Sequence, residues 1–109
     1  MNLLIVGGAG YIGSHIVLEA LKRGYKATVF DDLSTGNTKN INDVAQFIQG
    51  TTLSNSDLSK LFEYDNYDSV IHLAGSKAAR DSMSNPFKYA TNNITGSINL
   101  IKFIVKHKI

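Results

Sequence analysis

Gly7, Gly10 and Gly13 are the residues whose type and spacing point most directly to chemistry. They follow the apolar run Leu3-Leu4-Ile5-Val6 and open an amphipathic stretch. The same segment also reads as G-x-G-x-x-G through Gly8, Gly10 and Gly13. A bend of this kind suits a pyrophosphate: one glycine permits the tight turn, another lets the backbone approach the phosphates, and a third lets helix and strand pack closely. The anion then lies at a helix N-terminus, where unpaired N–H groups and the dipole favour negative charge. A glycine-rich turn alone is a weak signal. The strand before it and the helix after it favour dinucleotide binding over a plain turn.

Asp31 stands 18 residues beyond Gly13, at the expected end of the second strand. A carboxylate there can accept hydrogen bonds from the adenosine ribose diol. Asp32 adds a second negative charge, and no arginine between Asp31 and Gly36 could neutralise a 2′-phosphate. NAD is therefore expected as the cofactor rather than NADP. Taken without its position, Asp31-Asp32 would be no more than the start of a solvated loop.

These residues need a framework to hold them. Short apolar runs alternate with amphipathic stretches, which predicts strand–helix units and a parallel sheet. Strands are expected over residues 2–6, 25–30, 45–49 and 69–73. A helix over 11–23 should bury Ile12, Ile16, Ala20 and Leu21. A weak helical turn is expected within 37–44, and a short helix capped by Ser56 or Asp57 should run to about Tyr64. A long helix should follow Asn85 as N-cap and Pro86 at N1, ending near Lys106. Ala90, Ile94, Ile98, Ile101 and Val105 form one stripe on it, with Gly96, Leu100 and Phe103 beside them. Two apolar faces exceed what one sheet contact requires, so this helix is expected to meet a partner chain or further polypeptide.

Composition sets the outer bounds. The 109 residues allow one domain at most, and 43% hydrophobic with 18% charged residues suits a globular chain. A net charge of +2 argues against a dedicated nucleic-acid or membrane-surface binder. No cysteine is present, which excludes disulfides, thiolate metal sites and a cysteine nucleophile. His15, His72 and His107 lie far apart and form no ligand spacing, so no metal is expected. With neither a targeting segment nor a membrane span recognisable, a cytoplasmic protein is expected.

The run Gly7-Gly8-Ala9-Gly10-Tyr11-Ile12-Gly13-Ser14-His15 resembles the extended short-chain dehydrogenase/reductase family, and within it the UDP-glucose 4-epimerase branch. The resemblance continues through Asp31-Asp32-Leu33-Ser34, Val70-Ile71-His72-Leu73-Ala74-Gly75-Ser76-Lys77-Ala78 and Tyr89-Ala90-Thr91-Asn92-Asn93-Ile94-Thr95-Gly96-Ser97. It spans the whole chain but only the leading part of the family's longer sequence. Carried over by position, it implies that Tyr11 and Ile12 lie at the pyrophosphate and that Asp31 holds the ribose. The loop Asp32, Leu33, Ser34, Thr35 and Gly36 would run beside it. It further implies that Leu73, Ala74 and Gly75 line the cofactor, that Lys77 reaches its ribose or phosphate, and that Asn92 contacts it from the long helix. His72 and Tyr89 are read as packing residues.

Three departures from the family pattern stand out. Val6 occupies a place usually held by threonine. After the third strand the family has glycine, aspartate and a hydrophobic residue, the aspartate beside the adenine amino group. Here Gly50 precedes Thr51 and Thr52, which weakens that contact, and Asp57 comes six residues after Thr51, too late without a rearranged loop. The family's catalysis uses a Ser or Thr and a Tyr-x-x-x-Lys pair. The residues four places after Tyr11, Tyr25, Tyr64, Tyr67 and Tyr89 are His15, Val29, Asp68, Ile71 and Asn93, so no catalytic residue is assigned.

The expected fold is thus a truncated doubly wound, Rossmann-like α/β domain over residues 1–109, with four parallel strands in order 3-2-1-4 and flanking helices. The resemblance implies the NAD-binding N-terminal portion of an enzyme interconverting UDP-glucose and UDP-galactose through a transient 4-keto sugar. A UDP-sugar would be the substrate only of the complete enzyme. A stand-alone NAD-binding or regulatory module, a remnant without cofactor affinity, or part of another nucleotide-sugar epimerase or dehydratase remain open. The uncovered sheet edge and the long helix are each expected to favour a homodimer.

Overall fold

A computed structural model describes residues 1–33, 44–73 and 86–109, apart from the side chains of Tyr89, Ala90 and Asn92. The expected weak turn within 37–44 falls almost wholly outside this range, as does the expected N-cap Asn85.

The four strands are β1 (Asn2–Val6), β2 (Lys26–Asp31), β3 (Gln46–Gln49) and β4 (Ser69–His72). All pairings are parallel and the order is β3-β2-β1-β4, as the strand–helix alternation implies. Leu4 pairs with Thr28 on one side and with Val70 on the other; Val6 pairs with Phe30 and His72. Because successive side chains alternate between faces, β1 feeds two cores. Leu4 and Val6 pack with Phe30, Leu58, Leu61, Phe62, Tyr67 and Leu100 on one face. Ile5 packs with Val17, Ala27 and Val29 on the other. This double covering is why β1 is apolar at every position after Asn2.

Helix α1 (Tyr11–Lys22) covers the second face, and its buried residues are Gly13, Val17 and Ala20. Of the expected stripe, Ala20 is buried and Ile16 and Leu21 pack against this core, whereas Ile12 is exposed and Val17 takes the central place. The close approach of the glycine turn to the helix sets the phase, so the buried line starts at Gly13.

Helix α2 (Asn55–Tyr64) covers the first face through Leu58, Leu61 and Phe62. Its N-cap is Ser54, whose hydroxyl accepts from the Asp57 amide at 3.2 Å, rather than Ser56 or Asp57 as expected. The helix begins earlier because Ser54 closes a turn of its own, its N–H donating to the Thr51 carbonyl at 3.1 Å.

The C-terminal helical run is not the single regular helix expected. It comprises α3 (Pro86–Ala90), a π-helical turn (Thr91–Thr95) and α4 (Gly96–Lys106). One extra residue in a turn rotates the succeeding helix by about 100°. Gly96 and Leu100 are buried, Gly96 against Thr52 and Leu100 within the first core, whereas Ile94, Ile98, Ile101 and Val105 are exposed. No helix among the described residues is long and apolar enough to cross a membrane.

Candidate functional site

Because all four strands run the same way, the ends of β1, β2, β3 and β4 and the segments leaving them share one edge of the sheet. That edge is where open α/β sheets bind ligands. The sequence-expected residues that the structure describes gather here, apart from Asn92, whose side chain is not described.

At the end of β1, Gly7 takes φ +93°, a conformation that a side chain disfavours. Its N–H donates to the Phe30 carbonyl at 2.7 Å, and its carbonyl accepts from Gly10 N–H at 3.3 Å. Gly13 serves a different need. A Cβ there would stand 2.5 Å from the Gly7 oxygen and 2.6 Å from Gly8 Cα, so only hydrogen fits between helix and turn. Gly10, the N-cap of α1, faces open space: a Cβ on it would have only the Gly7 oxygen nearby, at 3.6 Å.

No side chain caps the α1 N-terminus, and no acidic residue occupies its first turn. Its first amides therefore have no partner within the helix or from a capping side chain. Tyr11 and Ile12 beside them are 78% and 59% exposed. Uncapped donors, an open Gly10 and a positive dipole end together can receive an anionic diphosphate.

At the end of β2 the Asp31 carboxylate is held at both oxygens. Oδ2 accepts from Ala9 N–H at 2.9 Å and Oδ1 from Leu33 N–H at 2.7 Å. The first bond ties the carboxylate to the glycine turn. The second accompanies a left-handed Leu33, φ +63°. Each oxygen of a carboxylate so fixed keeps a further lone pair able to accept a hydrogen bond. Asp32 beside it is exposed. Ser34, Thr35 and Gly36 lie outside the described residues.

At the end of β3, Gly50 N–H donates to the Asp31 carbonyl at 3.1 Å, and Thr51 and Thr52 follow in a turn. Thr51 Oγ1 accepts from Leu53 N–H at 3.1 Å. Thr52 is gripped from α4: Asn99 Nδ2 donates to its carbonyl at 2.9 Å, and Gly96 leaves no room for a Cβ against its hydroxyl. Asp57 folds back over this turn, its Oδ2 accepting from Thr51 N–H at 3.0 Å, although it stands six residues after Thr51 in the chain. The spacing from Ser54 to Asp57 was the available signal, since an acidic residue at N3 commonly folds back over a helix start. The Asn99 contact left no such signal, because it joins residues 47 apart.

At the end of β4, Leu73 N–H donates to the Val6 carbonyl at 2.7 Å, setting Leu73 beside the glycine turn. His72 is exposed, contrary to the expected packing role, and its Nε2 lies 3.1 Å from Ser97 Oγ. Its strand lies at the sheet edge, with no further strand beside it among the described residues. Ala74, Gly75 and Lys77 lie outside the described residues.

Comparison with known proteins puts this geometry in context. The family described as NAD dependent epimerase/dehydratase matches residues 3–109. The UDP-glucose 4-epimerase of Pasteurella multocida is 42% identical over 113 residues, covering 97% of this chain and 33% of that protein. The structure of Thermus thermophilus UDP-glucose 4-epimerase in complex with NAD superposes with a TM-score of 0.97 at 29% identity, covering 100% of this chain and 35% of the other. The UDP-glucose 4-epimerase of Thermotoga maritima, solved with UDP-glucose, gives 0.95 at 34% identity, with 100% and 35% covered. The chain thus spans about a third of the length of these relatives and resembles their N-terminal, NAD-binding portion.

Proposed function

Since the chain belongs to the NAD dependent epimerase/dehydratase family, we propose that residues 1–109 form the NAD-binding domain of a UDP-glucose 4-epimerase-like enzyme. The observation that carries this reading is the uncapped α1 N-terminus set against a doubly fixed Asp31 carboxylate. A diphosphate needs donors and a ribose diol needs an acceptor. The bond between Ala9 and Asp31 places both in one continuous surface.

In this assignment Gly7, Gly10 and Gly13 shape the bend, and Tyr11 and Ile12 offer amides to the pyrophosphate. Asp31 takes the adenosine ribose, with Asp32, Leu33, Ser34, Thr35 and Gly36 alongside. Thr51 and Thr52 border the adenine. Leu73, Ala74 and Gly75 line the cofactor, Lys77 reaches its ribose or phosphate, and Asn92 approaches from the C-terminal helical run. NAD, when bound, supplies a hydride acceptor and donor. This segment binds and orients it, and polypeptide outside these residues supplies the proton transfers and the UDP-sugar contacts. No tyrosine here is followed four places later by lysine, which also supports a second reading, an NAD-binding module without catalysis.

The exposed row Ile94, Ile98, Ile101 and Val105, together with the β4 edge, supports a homodimer through one of these surfaces. A cytoplasmic location is part of this reading.

Calorimetric titration of the chain with NAD and with NADP tests the assignment. NAD is expected to bind more tightly by at least about tenfold, because Asp31 repels a 2′-phosphate. Absence of heat with NAD defeats the proposal. Incubation with UDP-galactose is expected to give no UDP-glucose, and measurable epimerisation would show that a catalytic pair exists within residues 1–109.

A further inference from the structure

We propose that Asp57 is the base-recognising residue of this dinucleotide site, accepting a hydrogen bond from the exocyclic amine of adenine. The inference rests on the NAD reading above and goes beyond it, since Asp57 lies on α2 and is not among the residues that reading employs.

The argument starts from strand order. The diphosphate belongs over the β1–α1 turn and the ribose over the end of β2, where Asp31 stands. In the order β3-β2-β1-β4, continuing outward from β1 through β2 leads to β3. A base attached to that ribose therefore lies over the end of β3, against Gly50 and Thr51. Asp57 is the carboxylate delivered there. Its Oδ2 is fixed by Thr51 N–H at 3.0 Å, and a Cβ on Gly50 would stand 3.1 Å from Asp57 Cβ, so the side chain packs directly over the strand end. Asp57 is half-buried, and among the described residues no partner engages its Oδ1.

The surface under it is rigid. The 51–54 turn is closed by Ser54 N–H on the Thr51 carbonyl at 3.1 Å, and α4 holds Thr52 through Asn99 and Gly96. A carboxylate fixed this way is an acceptor only. It pairs with an amine and repels a carbonyl oxygen, which is the difference between adenine and hypoxanthine at position 6. The threonines at 51 and 52 carry no charge and do not make that distinction.

The test compares binding of NAD and of nicotinamide hypoxanthine dinucleotide to the full chain by calorimetry. The wild-type chain is expected to prefer NAD by about tenfold, the scale of one hydrogen bond to a charged group. In Asp57→Asn, the amide oxygen keeps the bond to Thr51 N–H and the amide NH2 faces the base. The preference is then expected to fall to parity or invert, an outcome that looser packing alone would not produce. Equal wild-type affinity for the two dinucleotides overturns the proposal without recourse to any variant. An unchanged ratio in a folded Asp57→Asn chain does the same while leaving NAD binding intact. A wild-type chain that binds neither dinucleotide defeats the NAD reading itself, and this inference with it.

Discussion

Helices α1 and α2 both begin just beyond the C-terminal end of a strand, yet they treat their first amides in opposite ways. Helix α2 is satisfied by its own chain: Ser54 accepts from Asp57 N–H, and the Asp57 carboxylate sits in the first turn, where it complements the dipole. Helix α1 starts at a glycine, with neither a side-chain cap nor an acidic residue in its first turn. Glycine in place of a good cap forgoes only a few tenths of a kcal/mol. The two starts show that leaving a helix end bare costs little stability and keeps its donors available, as the proposed diphosphate contact requires. At the capped end further along the same edge, the first amides are already satisfied by the chain itself.

The sharpest way to break that contrast is Gly13→Val. The added carbon meets backbone atoms of Gly7 and Gly8, which cannot swing aside as a side chain would. A loss of about 3 kcal/mol or more in urea unfolding is expected, together with loss of the NAD titration heat. Next comes Gly10→Asp, which makes α1 resemble α2. Its unfolding midpoint should hold or rise slightly, while NAD affinity falls by about tenfold or more, roughly 1.4 kcal/mol, because a carboxylate now occupies the anion's place. A variant that keeps its affinity would mean that the phosphates do not use this helix end. Ser54→Ala addresses the other helix and should lower stability by about 1 kcal/mol in the same urea measurement.

The smallest effect concerns the far end of α2. Tyr67 Oη donates to the Leu61 carbonyl at 2.9 Å, and burial pushes its phenol up to about 12 from an ordinary 10.0. The folded state then holds a proton that the unfolded state releases first. Stability from this group is present below pH 10 and declines as pH rises toward 12. Tyr67→Phe should flatten that part of the stability–pH curve.

Local chemistry explains which of these features were legible in the sequence. The glycine turn, Asp31 and the strand order were readable because each depends on a short run of residues and on general rules of parallel sheets. Ile16, Ala20 and Leu21 of α1 face the core as their apolar spacing implies, but that spacing cannot reveal that Gly13 lies pressed against Gly7, which leaves Ile12 outward and brings Val17 in. The cap of α2 was misplaced by at least two residues because Ser54, Ser56 and Asp57 are all competent caps, and the preceding turn chose among them. The π-helical turn at Thr91–Thr95 has no compositional mark. The grip of Asn99 on Thr52 depends on how α4 settles against α2, a contact between residues 47 apart in the chain.

The register of β1 carries a last consequence, for the order in which the chain assembles. This strand precedes the other three in the chain, yet it ends up central, flanked by Lys26–Phe30 on one side and Ser69–His72 on the other. Its second neighbour does not exist until the ribosome has passed residue 72. Until then Leu4 and Val6 have neither β4 beside them nor Leu100 above them. Parallel pairing across such long intervals makes folding slow, and for that interval the nascent chain exposes an apolar strand, the kind of surface that makes folding intermediates prone to aggregate.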